Sequence, residues 1–310
     1  FNILFVGTGG MGPGMLVSQA ATNVASVTTS GTTTNYTTLE SAFAAAVDGS
    51  TVKLLANCTT TAKITINTAI TVTFDGAGYT VTRGFTGDMF QLDNTGATLN
   101  VSSVTIEGAA SSGFMGSVFD MTNGTLKLTV GTVIQNNKKD GAYQSAVAIF
   151  NTSKVYMYAS TKIINNTSNA GGGVGVVMYD NSNFYMIGGL ISGNNGGDSG
   201  GGIQLRGNAA AHLYAGEISG NYCDVPVNGW TWAGGGIACS QDTGTAHVEV
   251  GGIIVIKDNY QKTTSGQYVM SNVGGSTKNT GTGISTTRAY ESTYNCPVTL
   301  STTTPLSSGA

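Results

Sequence analysis

An all-β fold, a right-handed parallel β-helix with a short N-terminal capping helix and an N-terminal extended arm, is what this sequence predicts. Three observations carry the prediction. Ile106, Ile134, Ile163, Ile191, Ile218 and Ile253 recur at steps of 28, 29, 28, 27 and 35 residues, and a period in the twenties marks a solenoid. Within each repeat, apolar residues alternate over short runs, as in Leu126, Leu128 and Val130, in Leu213 and Ala215, and in Val248 and Val250. Period two means strands with one buried face. Finally, glycine triplets (Gly171 to Gly173, Gly200 to Gly202, Gly234 to Gly236) and asparagines (Asn137, Asn166, Asn194, Asn221) return at fixed places in the repeat.

The chain divides into an arm over 1–36, a β-helix over 37–260 and final coils with a tail over 261–310. Nothing in residues 1–39 is charged. Phe1, Ile3 and Phe5 alternate with Asn2 and Leu4, so the start is expected to be a strand with one apolar face, lying along its own β-helix or added to a neighbouring subunit. Thr37-Thr38-Leu39-Glu40 reads as a capping box. Leu39, Phe43, Ala46 and Val47 follow at helical spacing, which predicts a helix over 38–48 that plugs the first coil. Val52 and Leu54 then start a strand, and Ile64, Ile66, Ile70, Val72 and Phe74 alternate up to the Asp75-Gly76 turn.

No amphipathic helix fits between later strands, so the chain must return through further strands and tight turns. Such coils stack ~4.8 Å apart, each strand bonded to its equivalent in the next. The recurring asparagines are expected at one corner, in left-handed backbone conformation, with stacked amides. The glycine triplets are expected to allow a sharp bend at another. Right-handedness follows from the general rule for parallel crossovers.

Composition narrows the function. Charged residues make up 9% of the chain, against roughly 25% in ordinary soluble domains. The 13 Lys and Arg residues form no basic run, so nucleic acid is not an expected partner. No stretch reaches the ~18–20 apolar residues of a membrane-spanning helix. The start at Phe1, without a basic segment, reads as a mature or trimmed product.

The plan of Gly200-Gly201-Gly202-Ile203, a strand, then Ile218-Ser219-Gly220-Asn221 resembles the repeats of bacterial polymorphic membrane proteins and autotransporter passengers. It is also similar to adhesin-like surface proteins, over roughly 37–260. The resemblance implies an extracellular, cell-surface role. Parallel β-helices also include pectin-degrading lyases and polygalacturonase-like hydrolases, which need clustered acids, typically with a histidine and an Arg-Lys pair. No NTD, GDD, GHG or RIK motif occurs, so catalytic residues and a cofactor are not expected.

Several side chains are candidates for binding. Asp198 and Asp224 follow the asparagine corner on adjacent coils and are placed either to hold calcium or as solvated turn residues. His212 and His247 each precede their isoleucine by six residues. They are expected to stack on the outer face, near Glu249, as a transition-metal set or as plain surface residues. Trp230 and Trp232 lie in a segment seven residues longer than its counterpart in the preceding repeat, which predicts a flank loop that contacts sugar or protein, or packs back on the helix. Cys223 and Cys239 bracket that loop and suit a staple. Cys58 and Cys296 should lie roughly 30 Å apart in one subunit, too far for a disulfide unless the tail runs back, but adjacent between subunits stacked head to tail. The expectation is an extracellular structural or adhesive protein whose partners are copies of itself, glycans or a host surface. The competing expectation is a carbohydrate-active enzyme or carbohydrate-binding module.

Overall fold

The computed structural model describes residues 3–4, 17–18, 22–108, 116–139, 141, 143–168, 172–196, 199–224, 234–239, 244–262, 266–274, 296 and 298–300. These residues form stacked parallel coils, a β-solenoid with one short helix.

Three ladders of inward side chains build the core. One runs Cys58, Val81, Ile106, Ile134, Ile163, Ile191, Ile218, Ile256. Another runs Ile64, Phe90, Phe119, Val147, Val176, Ile203, Ile237. The third runs Val72, Leu99, Leu126, Val155, Phe184, Ala211, Val248, Val298. All three meet in one continuous apolar cluster.

The last rung differs from the sequence expectation. Ile253 pairs with Ala215 and is 77% exposed, while Ile256 takes the place beside Ile218. A register shift after Leu213 inserts one extra residue at Gly251-Gly252. Along this strand the inward alternation of Val248 and Val250 continues at Ile254 and Ile256, which are buried, so Ile253 falls on the outward face. Val130 is likewise exposed, because its strand ends at Leu128.

The helix spans Leu39–Ala45, and its buried Leu39, Ala42 and Phe43 close the first coil. Phe43 packs edge-on against Phe74 and Phe90 at 5.3 and 5.7 Å. The cap is not the expected Thr37–Glu40 box. Thr38 Oγ1 accepts from the Ser41 amide at 3.2 Å. Glu40 instead accepts from the Thr61 and Ala62 amides, at 2.6 and 3.3 Å, and so fastens the helix to the first coil.

The arm is shorter than expected. Ala25–Thr29 and Thr32–Tyr36 form a hairpin across Ser30-Gly31, both with positive φ, as a two-residue turn requires. Ala25–Thr29 also pairs antiparallel with Thr51–Leu54, so this hairpin belongs to the first coil. Before it, Ile3–Leu4 pairs antiparallel with Val17–Ser18. At the other end, Tyr260–Lys262 pairs antiparallel with Tyr268–Met270, and Val298–Leu300 returns to lie parallel on the His247–Lys257 strand.

Candidate functional site

The most organised polar group is a buried spine. Asn137, Asn166, Asn194, Asn221, Asn259 and Asn272 are all at most 2% exposed. Each amide oxygen from Asn166 onward accepts from the backbone N–H of the preceding asparagine, at 2.9–3.2 Å. From Asn194 onward it also accepts that residue's Nδ2, at 2.8–3.0 Å. The left-handed conformation falls one residue earlier than expected, at Asn136, Asn165, Gly193, Gly220 and Asp258. That kink turns the following asparagine inward. The glycine triplets bend, with Gly172 and Gly200 at positive φ, and also approach neighbouring backbone and the spine closely. A Cβ on Gly202 would lie 2.5 Å from Gly236 O and 3.2 Å from Asn221 Nδ2.

Arg83 closes the spine at its start. Gly108, which follows the strand paired with that of Arg83, has no side-chain amide to offer, and the guanidinium reaches Asn137 Oδ1 at 2.7 Å and Ser117 O at 2.8 Å. Burial pulls the Arg83 pKa down to about 10 against the pull of nearby Asp88. No signal for this role stands out in the sequence, where Arg83 is one isolated cation.

Outside the core, one ladder carries Tyr156, Tyr185, His212 and Glu249 in register. The rings stack at 4.7 and 4.5 Å, so their faces cover one another and edges point to solvent. His212 lies 2.8 Å from Glu249 and 3.2 Å from Asn183. His247 does not stack on His212 as expected. It opposes Ala210, because the last rung is Ile256, and its Nε2 is 3.9 Å from Glu249. Among the described residues no group of three His, Cys, Asp or Glu side chains is arranged to hold a metal.

An acidic neighbourhood on another outer face escaped sequence reasoning. Asp120, opposite Gln91, accepts from Thr122 at 3.0 Å. Burial, and then the charge of Asp88, raises its carboxyl above the usual range.

Asp224 accepts from the Tyr268 hydroxyl. That bond, followed by burial, pushes Tyr268 up to about 12. Asp198, Trp230, Trp232, Phe1 and Phe5 lie outside the described residues, and Ile3 is described only as part of its short strand.

The cysteines pair differently from both expectations. Cys239 bonds to Cys296 with Cα atoms 4.8 Å apart, which removes both the Cys223–Cys239 staple and the Cys58–Cys296 link. The tail returns across the last coil and brings Cys296 over the inward-facing Cys239, whereas Cys223 sits on the separate Tyr222–Cys223 strand. Cys58 is a thiol at the opposite end, beside Thr37, Thr38, Glu40, Asn57 and Thr82 in an open cleft of about 370 Å³. Burial, reinforced by Glu40, pushes that thiol up to about 11, which keeps it protonated and unreactive at neutral pH. Among the described residues no helix is long and apolar enough to cross a membrane. No protein family, curated protein or solved structure matches this chain.

Proposed function

We propose that the chain is an extracellular structural or adhesive protein, a subunit of a filament, sheath or surface layer that joins copies of itself head to tail through its N-terminal region. The observation that carries this reading is where the organised polar chemistry lies. The asparagine spine and Arg83 are wholly buried and spent on holding coil to coil. The outward ladders present hydroxyls, amides and ring edges on a surface with few charges. Such a body suits repetitive packing of like against like. Electron microscopy of the purified chain, with sedimentation velocity over a hundredfold concentration range, tests it. Ordered polymers that grow with concentration support the reading, and a monomer throughout defeats it.

Asp120 favours a second reading, a carbohydrate-active β-helix, because a carboxyl whose pKa is raised by burial and then by the charge of Asp88 suits proton donation to a leaving oxygen. Cleavage of pectin, polygalacturonate or a related polymer that disappears in Asp120→Asn would establish that reading. The structural reading predicts no turnover with either protein.

A further inference from the structure

We infer that copies join by backbone pairing of two edge strands, Thr32–Tyr36 of one copy against Val298–Leu300 of the next. This inference rests on the self-assembly reading and names the surfaces that meet.

The two strands are opposite ends of one sheet. From Thr32–Tyr36 it passes through Ala25–Thr29 and Thr51–Leu54, then along the coils to His247–Lys257 and Val298–Leu300. Among the described residues each terminal strand has a ladder partner on one side only. Their directions match. Thr32–Tyr36 is antiparallel to Ala25–Thr29, which is antiparallel to Thr51–Leu54, and every later step on this sheet is parallel. Two reversals restore the original direction, so the first and last strands run the same way. A second copy placed end to end would therefore present its Thr32–Tyr36 parallel to Val298–Leu300.

Neither strand itself contains lysine, proline or a bulge, although Pro297 immediately precedes Val298–Leu300. Proteins blunt exposed edges with lysine, proline, bulges or covering elements. Thr32–Tyr36 has no charge and no proline, its register with Ala25–Thr29 is unbroken, and Thr32, Thr33, Thr34 and Asn35 are exposed. Val298–Leu300 is also uncharged. By contrast, the neighbouring end of the core is closed by the helix, whose Leu39 and Phe43 are buried. Among the described residues one sheet is unpaired at both ends. Because the two edges are different surfaces, the contact is heterologous and propagates as a fibre. The mode is strand addition, with the backbone supplying the bonds.

Counting from the two-residue turn, Thr29 and Thr32 form a hydrogen-bonded pair, so the Thr33 and Asn35 amides point away from Ala25–Thr29. Asn35→Pro thus removes an outward donor while keeping the internal ladder. We expect this variant to keep the circular dichroism and melting temperature of the parent and to sediment as a monomer. Its Val298–Leu300 edge stays intact, so one part of variant added to about ten parts of parent should bind growing ends and shorten the filaments severalfold. Asn35→Lys, which leaves the backbone donor but places charge at the joint, should weaken assembly in a salt-dependent way. If the parent forms filaments and Asn35→Pro forms them equally well, this contact is wrong while self-assembly stands. If the parent itself never assembles, both are wrong.

Discussion

Asn194 shows what single residues contribute to this fold. Its amide oxygen takes two donors from Asn166, and its Nδ2 gives to Asn221 Oδ1 and to Ile163 O at 3.0 Å. A buried group left without its partner costs about 1–3 kcal/mol. Asn194→Ala strands several at once, so unfolding by denaturant should show a loss of at least about 2 kcal/mol. An exposed asparagine such as Asn35 replaced by Ala should change stability by under about 0.5 kcal/mol. Asp120 makes a pH-dependent prediction. Its folded pKa is raised, so the folded state holds a proton that the unfolded state releases as pH rises above the ordinary carboxyl range. That carboxylate therefore lowers stability at neutral pH and has no such effect in acid well below its ordinary value. Asp120→Asn should gain stability relative to the parent between acid and neutral pH, measured as paired melting temperatures. An unchanged difference across that range would remove the burial argument.

At the scale of elements, the helix and the corners depend on a few side chains each. Thr38→Ala removes the cap on Ser41 and should cost about 1 kcal/mol. Phe43→Ala opens the plug against Phe74 and Phe90 and should cost about 3–5 kcal/mol. Chemical denaturation measures both. These elements also show what was readable beforehand. The coil period, the strand alternation and the position of the helix were legible because each rests on local periodicity. The Asn137 to Asn221 spine was legible because it repeats. Asn259 and Asn272 were not, since the last rung falls at Ile256 instead of Ile253, which broke the count. The hairpin over 25–36 was hidden for a different reason. Its threonines show no apolar alternation, and its turn is Ser-Gly instead of a stronger hairpin signal. Asp120 and Arg83 became meaningful only through register, which sets residues far apart in sequence side by side.

For the whole molecule, the Cys239–Cys296 bond ties the tail to the last coil and holds Val298–Leu300 in the ladder. Closing a loop of 57 residues stabilises by about 4 kcal/mol in the chain-entropy account. Reduction should therefore lower the melting temperature and, by loosening the terminal strand, weaken end-to-end growth. Parent and Cys239→Ser proteins compared by calorimetry and sedimentation check this. The pairing was not readable from sequence, because it depends on the tail folding back over a distance that no local pattern encodes. The central claim is that coils stack along one axis and that copies continue that stack. X-ray fibre diffraction from aligned filaments tests it most directly. The account predicts a strong reflection near 4.8 Å along the fibre axis, the spacing of hydrogen-bonded strands. A 4.8 Å reflection perpendicular to that axis, or a chain that never forms filaments, would contradict it.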